Sequence, residues 1–168
     1  MNSGDTAWVL AASALVLLMT PGVAFFYGGL VRKKNIVSTV MYSFMCMGLV
    51  GIVWVLWGYS LAFGPDISGL VGNLEFFGLN GVSADSDAGG GQAFMIFQCM
   101  FAIITPALVT GAFAERMKFG ALCLFIVLWV TIVYAPLAHW VWHENGWSFD
   151  DTKLGVYDTE QLSRLLGV

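Results

Sequence analysis

The chain has 168 residues, of which 58% are apolar and only 11% are charged. A soluble protein of this length needs more charge, because charged side chains cover its surface and stay exposed to water. The composition therefore excludes a soluble globular domain and indicates a membrane protein. The net charge of -4 says little by itself, because the placement of lysine and arginine decides how a membrane protein is oriented.

Four apolar segments are long enough to cross a membrane. They run from Thr6 to Leu30, from Ile36 to Phe63, from Gln92 to Phe113 and from Phe119 to Trp142. A helix needs roughly 20 residues to cross a hydrocarbon core about 30 Å thick. The first segment does not have the pattern of a signal peptide, since no basic residue precedes it and no cleavage site is evident. We therefore predict an all-α fold, a polytopic bundle of four transmembrane helices.

Positive charge is confined to two of the connections between these segments. Arg32, Lys33 and Lys34 follow the first segment, and Arg116 and Lys118 lie between the third and the fourth. Cytoplasmic loops carry an excess of Lys and Arg, so we predict that both connections lie inside and the N-terminus outside. The other two connections are predicted to face outward, and their acidic residues are Asp66, Glu75, Asp85, Asp87, Glu144, Asp150 and Asp151.

The connection from Gly64 to Gly91 is rich in glycine and acidic residues. We predict an exposed loop with at most a short interfacial helix around Leu74 to Phe77. The triple glycine does not predict a nucleotide site, because no GK[ST] sequence follows it and no strand precedes it. Cys46, Cys99 and Cys123 lie in apolar segments without CxxC spacing, so they predict small core residues and neither a metal site nor a disulfide.

The predicted helices contain aromatic residues where a pump would be expected to contain charges. A proton pump or ion-coupled carrier is expected to show carboxylates or basic residues within the membrane, where their cost marks function. Between Gln92 and Ala114 the polar side chains are instead only Gln98, Thr105 and Thr110, and the fourth segment offers Thr131, Tyr134 and His139. The aromatic residues are Phe25, Phe26, Tyr27, Phe94, Phe97, Phe101, Trp129, Trp140 and Trp142. An aromatic face of this kind can attract a cation while hydrating it poorly.

Each of these features also has a purely structural interpretation. Trp140, Trp142 and Trp147 fit a belt of interfacial anchors, which composition alone favours over a ligand site. Phe101 fits a packed or lipid-facing position, and His139 fits hydrogen-bonded packing better than a proton carrier. The residues by themselves therefore predict a polytopic protein with an aromatic outer vestibule, and they leave ligand and anchor roles open.

Four stretches, in order and spacing, resemble the ammonium transporter, methylammonium permease and Rhesus family. They are "LVLLMTPGVAFFYGGLVRKKN", "WVLWGYSLAFG", "FQCMFAIITPALVTGAFAERMKF" and "YAPLAHWVW". The resemblance covers nearly all of residues 7–142 and is specific, because four motifs recur in one order. It implies passage of ammonium or ammonia through a narrow, mostly hydrophobic pore.

The resemblance also assigns roles to individual residues. Trp142 corresponds to the family's outer tryptophan, which recruits ammonium by cation–π contact, and Phe101 corresponds to the phenylalanine gate. The pore wall of the family is similar at Val23, Phe26, Tyr27, Leu108 and Val141. No enzymatic activity is predicted, since no cluster of nucleophile, base and orienting group is visible.

The family also implies a setting for the chain. The resemblance implies that the chain interacts with ammonium or ammonia and with the lipid bilayer. It also implies a homotrimer and allows a cytoplasmic regulatory protein as a further partner. We expect a multi-pass position in the plasma membrane, which in bacteria is the inner membrane. No cofactor and no nucleic acid partner is predicted.

The sequence departs from the family pattern after the fourth segment. "HENGW" stands where the family has a glycine run, and Asp158 in "LGVYD" corresponds to the aspartate of the fifth-helix motif. The small residues and histidine expected next are replaced by "TEQLSRLLGV", and His139 and His143 lie too far out to serve as the family's pore histidines. We therefore expect residues 1–158 to form a partial transporter domain, the first half of an eleven-helix inverted-repeat fold, with a divergent tail at 159–168.

Two functions remain open at this point. The first is transport of ammonium or ammonia, complete only with the second half of the fold. The second is a non-conducting ammonium-sensing or regulatory membrane fragment.

Overall fold

The computed structural model describes residues 3–83 and 91–143 together with Gly146. Four helical spans in this part of the chain are long and apolar enough to cross a membrane, which confirms the predicted helical membrane fold. They are Ser3–Leu30, Lys33–Phe63, Gly91–Phe113 and Phe119–Trp142. Each span lies within three residues of the boundaries expected from the apolar pattern.

The first and third spans are continuous helices, and the other two contain a change of helical pitch. Helix α1 is Ser3–Leu30 and α4 is Gly91–Phe113. In the second span, a single 3₁₀ turn at Lys33–Asn35 leads into α2, Ile36–Val53, and α3, Tyr59–Phe63, ends the span. The fourth span consists of α5, Phe119–Trp129, and α6, Ala135–Trp142.

A π-helical segment of five residues interrupts each of these two spans. Trp54–Gly58 joins α2 to α3, and Val130–Tyr134 joins α5 to α6. The indole nitrogen of Trp57 donates a hydrogen bond to the hydroxyl of Thr131 at 2.9 Å, which connects the two segments directly. A π turn rotates the residues that follow it, and such turns are frequent at functional sites. The rotation sets the direction in which α3 and α6 continue to the end of the bundle.

Aromatic packing beside these π segments forms the centre of the core. Trp54 is fully buried and lies edge-on to Tyr59 and Phe63, at 5.9 Å and 6.3 Å between ring centroids. Its indole nitrogen donates to the backbone oxygen of Met95 on α4 at 3.3 Å, so the polar edge of the ring is also satisfied. Burial of aromatic side chains in this way fixes α2 and α3 against α4.

The connection after α3 contains a β-hairpin, where the sequence predicted an exposed loop with at most a short interfacial helix. Strands β1, Asp66–Ile67, and β2, Val71–Gly72, pair antiparallel. Ser68 and Gly69 both have positive φ, at 58° and 73°, as a type I′ turn requires. Beside the range Leu74 to Phe77, where at most a short helix was predicted, the structure has a 3₁₀ turn at Phe77–Leu79, which contains Gly78 at φ 63°.

The cysteines behave as small apolar residues. Cys46 and Cys99 are buried, and Cys123 is partly buried; all three are free. Within the described residues, no three His, Cys, Asp or Glu side chains lie together in a way that could hold a metal ion.

Candidate functional site

The face of α4 that carries Phe97, Phe101 and Leu108 forms the axis of the candidate site. These residues follow one another at spacings of four and seven, which places them on one side of an α-helix. The rings of Phe97 and Phe101 meet edge to face at 5.1 Å. Leu108 lies two turns further along, roughly 10 Å from Phe101 at the rise of an α-helix. Helix α4 thus presents a mostly apolar strip, interrupted by Thr105, whose hydroxyl donates to the backbone oxygen of Phe101 at 2.7 Å.

Trp142 contacts one end of this strip. It is the last residue of α6, and its ring meets that of Phe101 at 6.5 Å and 66°, an edge-to-face arrangement. The Trp142 side chain remains 44% exposed, whereas Phe101 is half-buried. One partner of the pair therefore offers an accessible aromatic face and the other lies deeper in the strip.

Tyr27 contacts the other end of the strip. Its hydroxyl donates a hydrogen bond to the backbone oxygen of Leu108 at 2.9 Å, across 81 residues of sequence. The bond is possible because Gly111, one turn after Leu108, has no side chain: a Cβ there would lie 2.5 Å from Cζ of Tyr27. The resemblance to the family assigns Tyr27 to the pore wall, but nothing in the sequence singles out Gly111.

The remaining residues assigned by resemblance lie on the same helices, with varying exposure. Phe26 is 64% exposed and its ring lies 5.5 Å from that of Tyr27. Val23 lies one turn before Tyr27 on α1 and is half-buried, as is Val141, which precedes Trp142 on α6. Asp158 lies outside the described residues.

A second cluster, which the sequence did not predict as a unit, lies at the outer end of α6. His139 is fully buried, and its ring nitrogens lie 2.9 Å from the backbone oxygen of Ala62 and 2.9 Å from Oδ1 of Asp66. Hydrogen bonds from His139 and from the backbone N–H of Gly69 hold the pKa of the Asp66 carboxyl below its usual value. The indole of Trp140 donates to the backbone oxygen of Leu70 at 2.6 Å. Helix α6 is therefore bound to the hairpin.

The opposite ends of the spans are joined by a carboxylate. Glu115, in the turn after α4, accepts hydrogen bonds from Nδ2 of Asn35 at 2.7 Å and from the backbone N–H of Arg32 at 3.1 Å. These hydrogen bonds, Asn35 first, lower the pKa of the Glu115 carboxyl. Tyr42 adds a bond from its hydroxyl to the backbone oxygen of Met117 at 3.1 Å. The two cationic connections are thus held against each other.

These features define a class of protein. A four-span helical bundle with an apolar strip on α4, an exposed tryptophan at one end of the strip and no described charge along it is a polytopic membrane protein.

Comparison with known proteins identifies the family. Residues 7–158 match the model of the Ammonium Transporter Family, so the chain belongs to that family. It is 53% identical to the ammonium transporter of Bacillus subtilis over 151 residues, which are 88% of this chain and 37% of that protein. The relatives are named as transporters and not as enzymes, in agreement with the sequence.

Solved structures agree with this result. The chain is similar to the crystal structure of Mep2 from Saccharomyces cerevisiae, with a TM-score of 0.78 and 39% identity over 88% of this chain. That match covers 33% of the Mep2 chain. A structure titled Sensor Amt Protein matches with a TM-score of 0.77 and 28% identity over 82% of this chain and 34% of its own. The chain therefore spans about a third of the length of the relatives it matches.

Proposed function

We propose that this chain supplies one wall of a pore for ammonium or ammonia, with Trp142 as the outer recruitment site and Phe101 as the gate behind it. The single observation that best supports this proposal is the contact between the two rings. An exposed aromatic face meets a half-buried one at 6.5 Å, at the outer end of the strip on α4. Residues 1–158 would form the partial transporter domain that carries this wall.

The chemistry of the Trp142 face supports cation recruitment. A cation over an indole face is attracted by the ring's quadrupole, which contributes about 1 kcal/mol at an exposed site and about 2 kcal/mol when desolvated. An attraction of this size concentrates ammonium modestly and releases it readily. The edge-to-face contact with Phe101 leaves part of the Trp142 ring accessible, since the side chain is 44% exposed.

The apolar strip beyond Phe101 supports selection by deprotonation. Ammonium has nearly the size of potassium, but it can donate hydrogen bonds and give up a proton, whereas potassium cannot. A filter that selects potassium replaces its hydration shell with oxygen atoms. Phe101, Leu108 and the ring of Tyr27 offer an apolar lining in place of such oxygens, which disfavours a charged solute. Neutral ammonia could pass such a lining once the proton has been left behind.

The exposure of large apolar side chains on α1 and α4 supports the proposal that further helices complete the pore. Phe26 is 64% exposed and Leu108 is 50% exposed, although both are large apolar residues on helices that pack against each other. In a complete pore these side chains would face the opposite wall, supplied by the other two thirds of a protein of the relatives' length. A homotrimer is part of the same proposal, since it is what the resemblance to the family implies.

A second candidate function has one observation in its favour. The structural match to a protein titled Sensor Amt Protein covers 82% of this chain, so the same wall occurs in a protein named for sensing. In that role Trp142 would bind ammonium and the chain would move nothing. Transport measurements separate the two candidates.

The direct experiment joins residues 1–158 of this chain to the remaining helices of the Bacillus subtilis ammonium transporter and measures ammonium uptake into liposomes. We expect saturable uptake by the chimaera and none above empty vesicles by the 168-residue chain alone, because its strip is open on one side. Phe101→Ala in the chimaera should change the rate or selectivity of uptake more than the half-saturating concentration. Absence of uptake by a folded chimaera, with normal uptake by the native Bacillus protein, would favour the sensing role.

A further inference from the structure

Five exposed cations lie in two connections at one end of the bundle, the one between α1 and α2 and the one between α4 and α5. They are Arg32, Lys33, Lys34, Arg116 and Lys118, and we call them the cationic patch. The only carboxylate in the same two connections is that of Glu115. Most of the positive charge in these connections is therefore not balanced by acidic residues within them.

Glu115 brings the cations of the two connections together. It accepts hydrogen bonds from Nδ2 of Asn35 at 2.7 Å and from the backbone N–H of Arg32 at 3.1 Å. After these hydrogen bonds, the charges of Arg32 and Lys34 also lower the pKa of the Glu115 carboxyl, which places both cations near it. Cations that are about 80 residues apart in the sequence are thus neighbours in the fold.

Contacts deeper in the bundle hold the helices beneath the patch in register. The hydroxyl of Tyr42 on α2 donates to the backbone oxygen of Met117 at 3.1 Å, and its ring stacks on that of Phe119 at 6.2 Å. These contacts join α2 to the start of α5. Lys34, just before α2, and Lys118, just before α5, therefore lie at the ends of two helices that pack together.

Exposed apolar side chains continue the same surface towards the membrane. Leu30 at the end of α1 is 70% exposed, Val37 in the first turn of α2 is 74% exposed, and Phe119 at the start of α5 is 43% exposed. Each lies within three residues of a cation of the patch. A phospholipid matches a surface that changes from cationic to apolar within one helical turn, because its phosphate adjoins its acyl chains. A free phosphate ion or an acidic peptide matches only the cationic part.

We propose that the cationic patch binds the phosphate headgroup of an anionic phospholipid in the cytoplasmic leaflet, with the acyl chains against the exposed apolar residues. Clusters of Lys and Arg directly cytoplasmic of a membrane span are typical of sites for anionic lipids. Arg can bind phosphate oxygens through two parallel hydrogen bonds, and Lys contributes a compact positive charge. This site does not involve Trp142 or Phe101, so it is a function beyond the proposed passage of ammonium.

The experiment measures which lipid the chain retains. The 168-residue chain is equilibrated in micelles that contain equal amounts of phosphatidylglycerol and phosphatidylcholine with identical acyl chains, and the lipid that remains bound after gel filtration is quantified by mass spectrometry. We expect phosphatidylglycerol to be enriched over phosphatidylcholine by about tenfold or more, because several cations of the patch act on one anionic headgroup.

Two double variants that each remove two positive charges provide the matched comparison. Lys34→Gln with Lys118→Gln should abolish most of the enrichment, whereas Lys34→Arg with Lys118→Arg should retain it. Lys153→Gln with Arg164→Gln, which removes the Lys and Arg outside the patch, should leave the enrichment unchanged. No enrichment in the native chain, or equal enrichment in both glutamine double variants, would overturn the proposal.

Salt and soluble anions test the lipid assignment in the native chain, also if the variant at Lys34 and Lys118 does not fold. Raising the sodium chloride concentration should weaken the enrichment, since salt screens exposed charges. Enrichment that does not change with salt would contradict binding by the patch. Inorganic phosphate or polyglutamate should have no greater effect than sodium chloride of the same ionic strength. Displacement of the lipid by either one would show that the patch recognises an anion or an acidic protein without the acyl chains. None of these measurements depends on ammonium transport.

Discussion

At the scale of single residues, the contact between Tyr27 and Gly111 depends on the absence of one carbon atom. The Tyr27 hydroxyl reaches the backbone oxygen of Leu108 at 2.9 Å, and its ring lies over Gly111. Small residues at helix contacts allow close approach in membranes, where packing and hydrogen bonds replace the hydrophobic effect as the source of association. The same contact holds α1 against the strip on α4.

Gly111→Ala is expected to destabilise the chain by about 1 to 3 kcal/mol, because the new methyl group would overlap the Tyr27 ring. The added carbon would lie 2.5 to 2.9 Å from three ring atoms. The free energy of unfolding, from denaturant titration in mixed micelles, measures the effect. Gly120→Ala is the matched control, since nothing lies within 4 Å of its Cβ position and alanine favours a helix.

The destabilisation caused by Gly111→Ala should be smaller when the Tyr27 ring is removed. In the background of Tyr27→Ala, Gly111→Ala should cost little or become stabilising, because the overlapping atoms are gone. Equal destabilisation by Gly111→Ala in both backgrounds would show that the contact is not the cause.

At the scale of elements, Glu115 joins the turn after α1 to the turn after α4. It accepts from Asn35 and from the backbone of Arg32, while its own backbone has a positive φ of 64°. A non-glycine residue rarely adopts such a conformation, so its side chain interactions hold the turn in place. In addition, the Nε atom of Arg32 lies 3.8 Å from Oε2 of Glu115, and this ion pair adds attraction between the two turns.

Glu115→Gln should lower the melting temperature at neutral pH, because the amide accepts these hydrogen bonds less strongly than a carboxylate. The Glu115 carboxyl has a lowered pKa in the folded chain, so its contribution is present above the unfolded pKa of about 4.3 and is lost as pH falls through the folded value. The difference in melting temperature between the native chain and Glu115→Gln should therefore become smaller as the pH falls below about 4. A difference that stays constant across this range would show that the charge of Glu115 is not involved.

At the scale of the whole molecule, the orientation predicted from the cations can be tested by chemical labelling. In a background without the three native cysteines, Asn80→Cys should react with an impermeant thiol reagent added outside cells. Lys34→Cys should react only after the membrane is opened, because it lies among the cations that mark the cytoplasmic side. The reverse pattern would invert the bundle.

The sequence predicted the helices better than their connections, for physical reasons. Long apolar segments such as Ser3–Leu30 need no partner to be recognised, because the bilayer alone sets their length. The π segment at Trp54–Gly58 was not predicted, because its apolar residues fit an α-helix equally well. The hairpin turn at Ser68 and Gly69 was missed because the residues between Gly64 and Gly91 suggest a loop in general rather than a particular turn.

The site was predicted by resemblance more than by pattern. The contact of Trp142 with Phe101 joins two helices, and no local spacing predicts that they meet. His139 was expected to be a hydrogen-bonded packing residue, and both of its ring nitrogens lie 2.9 Å from an oxygen atom. Its partner Asp66 lies 73 residues earlier, where the sequence indicated only an outward-facing acidic residue. Contacts between residues so far apart in the sequence depend on the fold and cannot be predicted from local sequence patterns.

The central claim of the proposed function is that Trp142 recruits ammonium and is not merely an interfacial anchor. The deciding measurement is the half-saturating ammonium concentration for uptake by the chimaera with Trp142→Leu, compared with Trp8→Leu, an exposed tryptophan near the start of α1. Loss of about 1.4 kcal/mol of cation–π attraction corresponds to a tenfold change in affinity. We predict a rise of about tenfold for Trp142→Leu and no change for Trp8→Leu. An unchanged half-saturating concentration in Trp142→Leu, with normal expression, would contradict recruitment and leave Trp142 as an anchor.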